Sequence, residues 1–269
     1  MLRRQMGFFL FCLWTAVAWA TPPAAPLQLL TEENPPFNFT RDGKVTGFAV
    51  EVVQEIQHRL GTQYPIKVEP WTRGYLMVQS VPNVALFDVV RTQKREQLFQ
   101  WVGPVNTAEA SFYARRGSTL SIKNVDDAKR VAKVVVPRGW YIHDALRRMG
   151  FTNLYAVETP EVMVKSLMAN EATLIVISEP GIDTLLSVCG MKPQEVKKVY
   201  PLFKNQDYIA FSLGTPHSVV HAWQQALDGM KSDGRFGALY NKWFPGLLPA
   251  GMKADADVWP SSKRGEGNE

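Results

Sequence analysis

Arg95 closes the run Thr92-Gln93-Lys94-Arg95, directly after the apolar segment Val84 to Val90. A guanidinium is a rigid fork of N–H donors that fits a carboxylate bidentately. A helix opening at Thr92 would add free backbone N–H groups and the positive end of its dipole, both favourable to an anion. The same arginine, flanked by Lys94 and Glu96, also reads as an ordinary surface residue. Ser178 and Glu179 follow a second apolar run, Leu174 to Ile177, and precede Pro180-Gly181. A polar side chain at such a strand end either faces a ligand or is simply solvated.

Aromatic groups stand at two comparable places. Trp140 and Tyr141 follow Gly139 after the apolar stretch Val131 to Val136, and Trp71-Thr72-Arg73 follows Ile66 to Val68. Rings there would wall a slot or serve as packing between elements. Glu32, Glu33 and Asn34 end the first strand at the same mouth. Two arginines, two or three rings and one or two acids suit a zwitterionic or anionic small molecule.

Other chemistries are poorly served. His217 and His221 have the i, i+4 spacing of a helical metal pair, but no third ligand with suitable spacing accompanies them, so no metal is expected. The remaining histidines, His58 and His143, are scattered, and neither a Ser/His/Asp nor a Cys/His set is visible. No cofactor is implied. The basic residues form no stripe of the kind nucleic acids need, so no nucleic-acid partner is expected.

The elements that must hold these residues alternate. Strands are expected at Leu27–Leu30, Ile66–Val68, Val84–Val90, Val131–Val136, Leu174–Ile177 and Ile209–Leu213. Helical spacing joins Phe48, Val52, Val53, Ile56 and Leu60, with Gly61 as the stop. Thr159-Pro160-Glu161 has the residue types of a helix start, and Thr215-Pro216 opens a long helix before a last short one at Phe236–Trp243. Two successive blocks of alternating strand and helix argue for α/β lobes with mainly parallel sheets. Ligands of such sheets lie beyond the C-terminal strand ends, where the residues above are found.

The chain has 269 residues, 46% hydrophobic and 20% charged, with a formal charge of +5. That composition excludes disordered, collagen-like and disulfide-scaffold proteins. Met1 to Ala20 has the basic start, short apolar run and small residues of a cleavable export signal, with cleavage near Ala20/Thr21. Cys12 sits inside the apolar run, which argues against a lipid-anchored end, and Cys189 alone would remain afterwards. The mature chain would have about 249 residues, carry about +3 and form no internal disulfide. The polar end from Leu247 to Glu269 reads as a frayed tail.

Three stretches carry a family resemblance: "TEENPPFNF…DGKVTGFAVEVVQEIQHRLG", "RTQKREQLFQWVGPV" and "MKSDGRFGALYNKWFP". Together, in that order behind an export signal, they resemble the bacterial extracellular solute-binding proteins of family 3, the periplasmic polar amino-acid-binding proteins. The resemblance covers about Leu27 to Pro245. It implies a type II periplasmic-binding fold, two α/β lobes joined by a two-strand hinge and closing on ligand. Residues 21–111 and 209–246 would form lobe 1, 112–208 lobe 2, and 247–269 the tail. It further implies that Arg95 holds a ligand carboxylate and that Glu179, or Ser178 beside it, meets an amino group. Asn34 stands where the family often has a stacking aromatic, and Trp140-Tyr141 where it often has a small hydroxyl residue; both departures bear on which ligand fits.

The implied function is capture of an amino-acid-like or carboxylate ligand by a periplasmic monomer for an ABC importer. Two other roles share the scaffold. One is a sensory protein that docks on a membrane receptor. The other is a dehydratase or lyase of prephenate-like acids, with Arg95 as anchor and Glu179 as general acid.

Overall fold

The computed structural model describes residues 26–247. The segment expected to be an export signal, with Cys12, lies outside the described residues, as does the expected tail beyond Leu247.

The chain opens with β1 (Gln28–Thr31) and a small hairpin of β2 (Phe39–Arg41) and β3 (Lys44–Thr46). It continues through α1 (Phe48–Arg59), β4 (Ile66–Val68), α2 (Trp71–Ser80) and β5 (Val84–Val90). A 3-10 turn at Glu96–Leu98 leads into β6 (Gln100–Arg115). Next come α3 (Val125–Lys129), β7 (Val134–Pro137), α4 (Tyr141–Arg148), β8 (Leu154–Val157) and α5 (Pro160–Met168). The chain ends with β9 (Leu174–Glu179), α6 (Gly181–Val188), β10 (Val196–Phe211), α7 (His217–Ser232) and α8 (Arg235–Trp243).

The main sheet has the order β4-β1-β5-β10-β6-β9-β7-β8. Its outer parts are parallel: β1 pairs with β4 and β5, and β7 pairs with β8 and β9. Parallel neighbours need crossovers, which the helices supply. Its middle is antiparallel. β6 and β10 pair along nearly their whole lengths, from Val196 opposite Arg115 to Phe211 opposite Gln100. This ribbon serves both ends of the sheet, since β10 also pairs with β5 and β6 with β9. The molecule is therefore a two-lobe α/β fold with two connecting strands. The expected divisions at 111/112 and 208/209 fall inside β6 and β10.

Each lobe buries both faces of its sheet. Around β1 and β5, Phe48, Val52 and Ile56 of α1 pack with Trp223 and Leu227 of α7 and Phe236 of α8. The ring of Phe48 lies 5.4–5.5 Å, edge-on, from Phe236, Tyr240 and Phe244. The other face carries α2, with Leu30, Val78, Leu86 and Ala210 in one cluster. Around β7 and β9, Ile142 and Leu146 cover one face, and Met163, Leu167 and Leu185 the other. Trp140, which precedes α4, joins the first lobe's cluster with Trp71 and Leu30. One lobe has thus put an indole into the core of the other.

Local rules account for most elements. Thr159 caps α5, its hydroxyl accepting from Val162 N at 3.4 Å, with Pro160 at the first helical position. Three features differ from the sequence expectation. Trp71-Thr72-Arg73 begins α2, whose buried positions Trp71, Gly74 and Val78 have helical spacing. The segment opening at Thr92 forms only the 3-10 turn, with Arg95 as its N-cap. The strand expected from Ile209 is the end of β10, which starts at Val196; its earlier part is polar and bulged, which hides the period. His217 and His221 are exposed on α7, and among the described residues no group of three His, Cys, Asp or Glu is arranged to hold a metal ion.

Candidate functional site

The loops after β1, β5, β7 and β9, together with the β10 ribbon, meet in a cavity between the lobes. Glu32, Asn34, Trp71, Asp88, Arg95, Trp140, Tyr141, Ser178, Asn205 and Asp207 line it, with Phe37, Val90, Ile177 and Gly181 as apolar wall. About 40 Å³ is open to the centres of water-sized spheres, room for a few waters or one compact molecule.

Arg95 is the cation of the lining. The residue is 6% exposed, and its guanidinium lies 5.3 Å from the Trp71 ring and 5.1 Å from the Tyr75 ring. Such faces hold the cation by their quadrupoles. Its Nη1 donates to the Val90 carbonyl at 3.2 Å, and no carboxylate among the described residues lies within ion-pair distance of it. Burial pushes its pKa below the usual arginine value.

Three buried carboxylates also line the cavity, each held by N–H donors. Trp140 Nε1 donates to Glu32 Oε2 at 2.9 Å. Asn34 Nδ2 donates to Asp88 Oδ2 at 2.8 Å. Asp207 accepts from Asn106 at 2.9 Å and Asn205 at 3.3 Å. Burial pushes Glu32 up to about 8, against the lowering pull of the Trp140 N–H and of Arg95. Burial also raises Asp88, whose neighbour Asp207 adds like-charge repulsion, and it raises Asp207 itself. Asp88 holds φ 67° inside a strand that is otherwise extended and buried throughout, a backbone region that non-glycine residues seldom occupy.

Tyr141 is buried in the same lining. Its hydroxyl donates to Asn205 Oδ1 at 2.7 Å and lies 3.3 Å from Ser178 Oγ. Burial raises its pKa far above the usual tyrosine value, so it stays a donor. A second indole ties the lobes together, Trp71 Nε1 donating to the Gly139 carbonyl at 2.9 Å. Gly139 holds φ 74°, and a Cβ there would stand 3.1 Å from the Trp71 ring.

Of the residues singled out in the sequence, the fold brings Glu32, Asn34, Trp71, Arg95, Trp140, Tyr141 and Ser178 to this cavity. It does not bring Glu33, which accepts from Thr40 at the surface, nor Thr92, Arg73 or Glu179. Thr92 lines a neighbouring groove with Arg91, Phe203 and Gln206. Arg73 points outward, 69% exposed, toward Glu69 at 3.4 Å. Glu179 lies on β9 next to Ser178, and successive strand residues face opposite ways. Its carboxylate accepts from Tyr113 at 2.6 Å and pairs with Lys198 at 3.3 Å, outside the cavity lining. Asp88, Asn205 and Asp207 were not singled out. One acid within the apolar run Val-Ala-Leu-Phe-Asp-Val-Val was the available signal for Asp88, because an ionisable group in a buried strand needs a reason.

The model of the bacterial extracellular solute-binding proteins, family 3, matches residues 27–246. The chain belongs to that family. Among its relatives in the family, the L-cystine-binding protein TcyJ of Escherichia coli (strain K12) is 24% identical over 214 residues, 78% of this chain and 79% of that protein. Among solved structures, a histidine kinase sensor domain similar to periplasmic binding proteins superposes with TM-score 0.75 at 19% identity, covering 83% of this chain and 98% of that one. An ancestral arginine-binding protein bound to arginine gives 0.73 at 22%, covering 81% and 98%. An ancestral amino-acid-binding protein, AncCDT-1, described as a precursor of cyclohexadienyl dehydratase, gives 0.70 at 20%, covering 81% and 95%. At these identities the superpositions establish the fold, and the family supports a solute-binding role for the chain.

Proposed function

We propose that this family 3 protein is a periplasmic binding protein that takes a small amino-acid-like or carboxylate-bearing ligand between its lobes and delivers it to an ABC importer. The observation that carries the reading is Arg95, buried between two rings at the cavity wall and without a carboxylate partner in the described residues. A buried guanidinium without a counter-ion is costly, and a ligand carboxylate would relieve that cost. Residues 21–111 with 209–246 form one lobe and 112–208 the other, with β6 and β10 as the hinge on which they close. The leader at 1–20 directs export, and the protein works as a monomer.

Isothermal titration calorimetry against amino acids and simple carboxylates tests the reading. At least one should bind, and Arg95→Ala should lower its affinity at least a hundredfold; an unchanged affinity removes Arg95 from the site. A sensory role draws support from the superposition on the histidine kinase sensor domain. Pull-down of detergent-solubilised membranes with the liganded protein separates the two: recovery of a permease supports import, and recovery of a kinase or other receptor supports sensing. Mass spectrometry after incubation with prephenate-like acids tests the dehydratase alternative, which predicts new product.

A further inference from the structure

Trp140 lines the cavity with a ring that belongs to the second lobe but is buried in the first. It ends the turn at Gly139 that leads into α4, yet it clusters with Trp71 and Leu30 of the opposite lobe. Hydrogen bonds fix it there from two sides. Its own Nε1 donates to Glu32 at 2.9 Å, and the carbonyl of the preceding Gly139 accepts from Trp71 Nε1 at 2.9 Å. Each lobe thus gives one indole N–H to the other. Turning the Trp140 ring outward would forfeit a buried hydrogen bond and leave a void in the cluster. The ring is a fixed wall and not a swinging gate.

The lobes have little slack with which to make room. A Cβ on Gly139 would stand 3.1 Å from the Trp71 ring, and a Cβ on Gly181, the first residue of α6, 3.2 Å from the Phe37 ring. At both places a missing side chain in one lobe lets a ring of the other come close. A ligand too large for the enclosed space would have to part both contacts and both indole bonds. The space itself holds a few waters or one compact molecule. Trp71, the other indole of the lining, already serves Arg95 with its ring and stacks on Tyr75. The bulk of Trp140 is therefore what bounds the room left for a ligand's side chain.

Resting on the solute-binding reading, we propose that Trp140 is the specificity-determining residue of this cavity, and that its indole restricts the site to a compact carboxylate-bearing molecule no larger than alanine. The limit is steric and acts on size whatever the charge of the ligand's side chain. A longer side chain meets the ring and overpacks the site, so added methylenes lower affinity where an open apolar pocket would reward them. Trp140→Ser removes the ring and admits longer side chains. Trp140→Phe loses the N–H but keeps most of the bulk, so it should weaken all ligands alike and preserve the limit.

The test is calorimetry with glycine, L-alanine, acetate and pyruvate as the compact set and L-leucine, L-phenylalanine and L-arginine as the large set. The wild type should bind at least one compact compound at least about tenfold more tightly than any large one. Trp140→Ser should cut that preference at least about tenfold, with a large compound gaining in absolute affinity, while Trp140→Phe should keep it within about threefold. A ratio between ligands is not moved by a general loss of stability. Should Trp140→Ser fail to fold, the wild-type order and the Trp140→Phe ratio still decide. Wild-type binding of a large compound as tightly as the compact set, or an unchanged preference in folded Trp140→Ser, would overturn the size limit and leave the solute-binding reading standing. If the wild type binds nothing in the wider amino-acid and carboxylate panel, both fall together.

Discussion

The indole N–H of Trp140 donates to Glu32 Oε2 at 2.9 Å, joining a residue that precedes α4 to one that follows β1. The bond crosses from one lobe to the other and anchors an acid of the cavity. On the proposed hinge closure, it would couple closing to the state of the site.

Trp140→Phe keeps a ring in the first lobe's cluster but removes the donor. A hydrogen bond to a neutral carboxyl contributes about 0.5–1.5 kcal/mol. Ligand affinity should fall by up to about tenfold, by calorimetry, with secondary structure intact. No change would mean that the bond contributes nothing to the closed form.

Glu32 makes the free protein sensitive to pH. Its carboxyl is raised from 4.5 to about 8 in the fold, so between those values the folded state holds a proton that the unfolded chain has lost. The stabilisation is full below the unfolded pKa and is lost as pH rises through the folded one. The melting temperature of the free protein should decline from about pH 5 to 8 on this account. Glu32→Gln keeps an oxygen for Trp140 and should flatten that decline, melting above the wild type at pH 8.

Glu179 separates position in the chain from position in the site. Because it faces Tyr113 and Lys198, Glu179→Gln should leave ligand affinity within about twofold, at a cost of up to about 1 kcal/mol for the exposed ion pair. Ser178→Ala, one residue earlier and beside Tyr141, should weaken binding more. The reverse order in calorimetry would place Glu179 at the ligand.

Gly139 sets how closely the lobes approach. Gly139→Ala puts a methyl against Trp71 and forces a left-handed φ on alanine. Small-angle scattering should then show a larger radius for the liganded variant than for the liganded wild type, and its affinity should fall.

Phe48→Ala tests the first lobe's core. The ring is fully buried against three aromatics, so its loss should cost about 3–5 kcal/mol in chemical denaturation.

The fold was legible where one local rule dominated. Apolar runs marked β1, β4, β5 and β9, and the residue types at Thr159-Pro160-Glu161 marked the start of α5. β6 and the polar half of β10 follow no simple period, because Gly103-Pro104 and several bulges interrupt their pairing. Within the site, Arg95, Trp71, Trp140 and Tyr141 were readable because their chemistry is conspicuous after a strand. The acids of the cavity were not. Glu32 looked like one of two interchangeable mouth residues, until Glu33 proved to bind Thr40 at the surface. Asp207 acquires its meaning only from a strand pairing that sets it opposite Val90 and Asn106.

The cluster that seats Phe48 against Phe236, Tyr240 and Phe244 also imposes an order of assembly. A chain delivered from its amino end presents α1 early and α8 last. The core around Val134, Ile142 and Leu174 draws on one contiguous stretch and can consolidate as that stretch emerges. The apolar face of α1 can meet Leu29, Ala85 and Phe87 early but lacks Trp223, Phe236 and Tyr240 until the end of the chain. Until then part of it stays exposed, and a chain cut short before Arg235 would keep it so.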